Sequence, residues 1–211
     1  MASGENALIS VSNKEGIVDF AGGLHEMDWN IYASGGTASE IERAGIPVIN
    51  VAELIGSEAI LDHRVVTLSK EVHAGLLADP RKDMHVAELE SLGIPFLDLV
   101  AIDMYPLKQA VEDGLNEEEI IEKTDVGGPT MLHSAAKGRR IAVSRAIQRP
   151  VVLEWLKNGK PDEEKIVRTL AAVAEKEVSE YIGESWKYLA GLVLANDPTT
   201  SYEATLRAPL Y

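Results

Sequence analysis

Five short apolar runs of strand type alternate with stretches of helical periodicity, and that alternation limits what the chain can fold into. The runs are Ala7–Ser12 (ALISVS), Asn30–Ser34 (NIYAS), Pro47–Val51 (PVINV), Asp98–Met104 (DLVAIDM) and Arg140–Ser144 (RIAVS). DLVAIDM is the clearest buried strand. The first run is followed by Ile17, Phe20, Ala21, Leu24 and Met27 on one helical face, and further helical runs cover Lys82–Leu92, Leu107–Asp113 and Glu117–Lys123. Strands that alternate with helices imply right-handed crossovers and a mainly parallel sheet covered on both faces. The spacing predicts capping boxes at Ser12 with Glu15 and at Thr37 with Glu40. From Pro161 onward, Ile166, Leu170, Val173, Ala174 and Val178 keep helical spacing with charge opposite, which predicts one or two long C-terminal helices. The expected fold is therefore α/β, a three-layer, mainly parallel sheet flanked by helices, with added C-terminal helices.

Composition narrows the function. Hydrophobic residues make up 45% of the 211, enough for a real core. The chain has no cysteine, which excludes disulfides, thiolate catalysis and cysteine–zinc sites. A formal net charge of −14 repels a nucleic-acid backbone, so no nucleic-acid partner is expected. No apolar run reaches membrane length and the first residues lack a signal-peptide layout, so no membrane association and a cytoplasmic location are expected. His63 and His73 lack partners at metal spacing, so no metal is expected. Asp197–Ser201 (DPTTS) reads as a linker.

A small anion is a different matter, because ligands of an open parallel sheet bind beyond the carboxyl ends of its strands, where helix N–H groups are free. Three loops qualify: SVSNKEG after the first strand, ASGGT after the second, and TDVGGPT before a helix that starts near Pro129. Ser12, Ser34 and Thr37 supply hydroxyls and Lys14 a cation. Each loop alone is more often a plain cap; two in succession favour a phosphate cradle. On the helix after TDVGGPT, Thr130, His133, Ser134 and Lys137 share a face by i, i+3, i+4, i+7 spacing. Lys137 reads equally well as an exposed lysine of a last helical turn.

The stretches SVSNKEGIVDFA, ASGGTASEIERAGIPVINVAELIG, HRVVTLSKEVHAGLLA, DLVAIDMYPL and DVGGPTMLHSAAKG occur in this order. Together they resemble the IMP cyclohydrolase domain of the bifunctional purine-biosynthesis protein, which also carries AICAR transformylase. The resemblance runs from about Ala7 to Asn196. It implies a methylglyoxal synthase-like fold over 1–196, with 161–196 as C-terminal helices packed on it, and 197–211 as a tail or linker toward a transformylase domain. It implies ring closure of formyl-AICAR to IMP with loss of water, no cofactor, a purine ribonucleotide as ligand, and a homodimer. Carried over by motif, Ser12, Lys14, Ser34, Gly36 and Thr37 would hold the phosphate. Arg64 and Thr67 would lie beside the ligand with Gly127 and Gly128. Asp125, Lys137 and Tyr105 would carry the chemistry.

The chain departs from the family at several of these positions. Val66 stands where a lysine is usual, Ser69-Lys70 where His-Pro is usual, Asp103 where asparagine is usual and His133 where arginine is common. If Pro129 to Lys137 is helical, Asp125 reaches Lys137 only through a fold-back at Gly127-Gly128 or from a second chain. Two other functions share this fold: a methylglyoxal synthase-like lyase, which the GGPTM…AAK run argues against, and a nucleotide-binding regulatory module without catalysis, which Val66 favours.

Overall fold

A computed structural model describes residues 4–61 and 64–196. Five strands form one all-parallel sheet: β1 (Asn6–Val11), β2 (Asn30–Ala33), β3 (Ile49–Asn50), β4 (Leu99–Asp103) and β5 (Ile141–Val143), in the order β3-β2-β1-β4-β5. Ala7, Leu8, Ile9, Leu99, Val100 and Ala101 are all fully buried. Continuous burial on both pleat faces is what a parallel sheet between helices requires, and it explains why these runs read as apolar rather than alternating.

One face is covered by α1 (Ile17–Glu26) and α9 (Gln148–Lys157), whose Ile17, Phe20, Leu24, Val152 and Trp155 join Ile9, Ile31, Leu99 and Val143 in a single cluster. On the other side, α8 (Gly127–Gly138) packs on β4 and β5, and α4 (Lys70–Leu77) packs on α8. The remaining helices of this unit are α2 (Gly35–Arg43), α3 (Val51–Ile55) and α5 (Asp83–Leu92). Asn50 caps α3, accepting the Ala52 N–H at 2.9 Å while Glu53 takes the Asn50 N–H at 3.2 Å.

The chain divides into two compact units, Met1–Met104 with Asp125–Glu177, and Tyr105–Thr124 with the stretch from Val178 on. The second contains α6 (Leu107–Glu112) and α7 (Glu117–Glu122), with Leu107, Ala110 and Ile120 buried. A single 34-residue helix, α10 (Glu163–Asn196), contributes to both units. The expected tail 197–211 and His63 lie outside the described residues.

Several local expectations are corrected. The Ser12–Glu15 capping box does not form: α1 begins at Ile17 after Gly16 in the left-handed conformation (φ 65°), and Ser12 bonds instead to Asp103. Nor does Thr37 cap with Glu40, because the cap position of α2 is Ser34 and Glu40 pairs with Arg43 at 3.0 Å. The third strand keeps only two of its five expected residues. Gly127 and Gly128 are the first turn of α8, not a turn before it.

The α4–α8 approach is close enough to demand glycine. A Cβ at Gly138 would sit 1.9 Å from the Leu76 carbonyl oxygen. Arg140, buried just beyond, donates to the carbonyls of Leu76 (3.0 Å) and Ala78 and lies over the Phe96 ring at 5.2 Å. Gly138→Ala should therefore cost roughly 1–3 kcal/mol, the usual range for overpacking. Urea unfolding midpoints of parent and variant check this.

Candidate active site

The strand order reverses between β1 and β4, and their carboxyl ends are level, with Val11 opposite Asp103. This is the switch point at which α/β sheets hold ligands. Asp103 organises it. Its Oδ1 accepts the Asn13 N–H at 3.2 Å, the Ser12 N–H, and the Ser12 hydroxyl at 3.1 Å, a proton shared with the Met104 carbonyl at 3.2 Å. Its Oδ2 accepts from Arg149 Nη2 at 2.8 Å. Arg149 is 2% exposed and also donates to the Glu15 carbonyl, so it ties both ends of the β1–α1 loop. Burial lowers its pKa, and Asp103 opposes that shift.

Next to this loop stands the start of α2. The buried Thr37 hydroxyl donates to the Val11 carbonyl at 3.2 Å and accepts the Val11 N–H at 3.2 Å. Lys14 Nζ donates to Thr37 Oγ1 at 3.0 Å and to the Val11 carbonyl. Partial burial lowers the Lys14 pKa, with Asp103 pulling it back up. Ser34 makes no side-chain cap bond, and a Cβ at Gly36 would meet nothing within 4 Å among the described residues. Ser12, Lys14, Ser34, Gly36 and Thr37 thus gather at one edge: a helix N-terminus, three hydroxyls and an ammonium beside the open space at Gly36. Such an edge suits an anion.

A second group adjoins it through Met104. Asp125 Oδ1 accepts the Gly128 N–H at 2.9 Å, and burial raises the Asp125 pKa against the opposing pull of the Gly128 and Gly127 amides. A Cβ at Gly128 would stand 2.5 Å from Asp125 Oδ2 and 3.3 Å from Met104 Cγ; one at Gly127 would stand 2.9 Å from the hydroxyl of buried Thr67. The two glycines let Asp125 and Thr67 close against the first turn of α8, which is a packing role. Arg64 is exposed beside a short antiparallel bridge between Ile60 and Val65. Val66 is half-buried, and exposed Lys70 pairs with Glu71 at 3.4 Å.

Other expected residues stand apart. Lys137 is exposed in the last turn of α8 and has no partner among the described residues. At 1.5 Å per residue it lies ~15 Å along the helix from Gly127, beyond the reach of one side chain. Because the glycines are helical, there is no fold-back within one chain. Tyr105 belongs to the second unit and is 56% exposed. The face proposed for Thr130, His133, Ser134 and Lys137 divides. His133 bonds Glu175 at 2.8 Å, Ser134 bonds His73 at 2.9 Å, and Thr130 bonds back to the Val126 carbonyl at 2.6 Å. Arg149 is the residue that sequence reasoning missed, although its i, i+3, i+7 relation to buried Val152 and Leu156 puts it on the buried stripe of α9.

The family described as MGS-like domain matches residues 16–130, more than half of the chain. The chain belongs to this MGS-like domain family. The resemblance read from the sequence motifs and the expected α/β fold are both borne out. Among known proteins, the bifunctional purine biosynthesis protein PurH of Staphylococcus saprophyticus subsp. saprophyticus is 43% identical over 162 residues, 75% of this chain and 33% of that protein. PurH of Deinococcus deserti is 39% identical over 190 residues, 89% of this chain and 36% of that protein. The chain therefore spans about a third of the length of these curated relatives. The crystal structure of ForH matches with a TM-score of 0.73 at 32% identity, covering 87% of this chain and 97% of ForH. Among the described residues, no helix of this MGS-like domain is long and apolar enough to cross a membrane.

The open space at Gly36 makes a direct probe. Gly36→Ala adds a methyl that touches no described atom of the protein and favours the helix by roughly 0.5–1 kcal/mol. It should leave the thermal midpoint unchanged or raise it, yet weaken phosphate binding measured by calorimetry.

Proposed function

We propose that this MGS-like domain is an IMP cyclohydrolase that closes formyl-AICAR to IMP with loss of water. The observation that carries this reading is the anion edge at the switch point, built from the motif residues shared with the purine-biosynthesis resemblance. In this reading the 5′-phosphate sits at Ser12, Lys14, Ser34, Gly36 and Thr37, and the base points toward Thr67 and Asp125. The identity of the curated relatives as bifunctional purine biosynthesis proteins supports it.

The reaction forms one C–N bond. The carboxamide nitrogen attacks the formyl carbon, the carbonyl electrons move to oxygen, and a carbinolamine results. The attacking nitrogen gives up one proton; the carbinolamine hydroxyl then leaves as water while the former formamide nitrogen gives up its own proton and the C=N bond of the new ring forms. Holding both groups of one molecule in contact supplies much of the acceleration. An amide nitrogen is a weak nucleophile, so a base beside it matters. Asp125 fits that role: burial raises its pKa, which makes it a stronger base than an exposed carboxylate. Lys137 supplies the proton to the departing hydroxyl. Its ~15 Å separation along α8 requires that the lysine of one chain serve the aspartate of another in a homodimer.

The sign of the Asp125 shift gives a prediction. A raised folded-state pKa means that ionising Asp125 is harder in the native state, so its charge lowers stability once pH passes the ordinary carboxylate value near ~3.9. Asp125→Asn should be at least as stable as the parent at neutral pH by thermal unfolding, while turnover falls by ~100-fold or more. In the parent, activity should fall with decreasing pH at a point above the ordinary carboxylate range.

Shared sites give a sharper test. Lys137→Ala, at an exposed position, should change stability by less than ~0.5 kcal/mol and lose most cyclisation. Mixing unfolded Asp125→Asn and Lys137→Ala chains in equal amounts and refolding them should restore about a quarter of parental activity, because half the dimers then hold one intact site of two. IMP formation from formyl-AICAR, followed by absorbance, is the readout. Tight IMP binding by the parent with no turnover would contradict the catalytic assignment.

A further inference from the structure

The Asp103–Arg149 pair places a carboxylate directly under the edge that the proposed function gives to a phosphate. Left alone, that charge would repel a dianion. Arg149 is 2% exposed and Asp103 only 15%, and their contact is 2.8 Å. Among the described residues, Arg149 and Arg140 are the buried arginines, and Arg149 is the one that pairs with a carboxylate. The pair also shapes the loop: Ser12 and Asn13 turn their N–H groups inward to Asp103 Oδ1 rather than outward, and Arg149 holds the Glu15 carbonyl from below. Lys14, between them, is thereby directed at Thr37 and the start of α2.

We propose that Asp103 and Arg149 are positioning residues for the phosphate cradle: Asp103 draws the β1–α1 loop inward and so aims Lys14, and Arg149 cancels the carboxylate's charge so that a phosphate can sit beside it. This rests on the proposed phosphate placement and goes beyond it. The two functions of Asp103 separate by substitution. Asparagine keeps an oxygen that can accept from Ser12 and Asn13 but removes the charge; alanine removes both.

The test measures binding of inorganic phosphate and of IMP by calorimetry for the parent, Asp103→Asn, Asp103→Ala and Arg149→Met, with folding checked by circular dichroism. Arg149→Met should weaken both ligands by roughly tenfold or more, since it leaves a half-buried carboxylate unneutralised beside the phosphate. Asp103→Asn should bind as tightly as the parent or tighter, and Asp103→Ala should bind more weakly than Asp103→Asn. In turnover, these shifts should fall on KM rather than kcat. A pair that only stabilises the fold predicts instead that Asp103→Asn weakens binding along with the other two, and that result overturns the proposal. So does unchanged binding in all three variants, or a parent that binds neither ligand. If Arg149→Met does not fold, the asparagine–alanine comparison at position 103 decides alone. A parent that binds phosphate and obeys the pattern but makes no IMP leaves the proposal standing and removes the cyclohydrolase reading.

Discussion

A half-buried carboxylate at the end of β4 holds the loop that follows β1, and the geometry of the proposed phosphate edge depends on it. Asp103 collects two backbone N–H groups and a hydroxyl from Ser12 and Asn13, and it is neutralised from beneath by Arg149. Removing Asp103 would leave the Arg149 guanidinium charged and nearly out of water, which is costly. The level register of Val11 and Asp103 makes the contact possible. Sheet topology, loop shape and local charge are thus linked through one residue.

The second constraint is the straightness of α8. Its N-terminus seats Asp125 against Gly127 and Gly128, and its last turn carries Lys137. A continuous helix of 12 residues keeps Asp125 and Lys137 apart within one chain. If both serve one reaction, assembly is part of the active site rather than an addition to it. The same helix packs on β4 and on α4, so the seat of Asp125 is tied to the sheet.

Much of this was legible in the sequence, for identifiable reasons. DLVAIDM and ALISVS read as strands because full burial on both faces leaves an apolar run. ASGGT was recognised as a helix start because free N–H groups favour Ser and Gly there. The Ser12–Glu15 pairing failed because a carboxylate from 91 residues away competes for Ser12, and no local pattern encodes that competitor. The shared face of Thr130, His133, Ser134 and Lys137 was right as helical geometry. Its neighbours were invisible: α4 takes Ser134 and α10 takes His133. Arg149 was missed because arginine reads as a surface residue, even on the stripe that buries Val152 and Leu156.

The placement of the phosphate is the claim from which the rest follows, and a crystal structure with IMP bound tests it most directly. The account predicts the phosphate within hydrogen-bonding distance of Lys14 Nζ, the Ser34 hydroxyl and the Gly36 and Thr37 N–H groups, with the Asp103–Arg149 pair intact below. A phosphate bound anywhere else on the chain would contradict it.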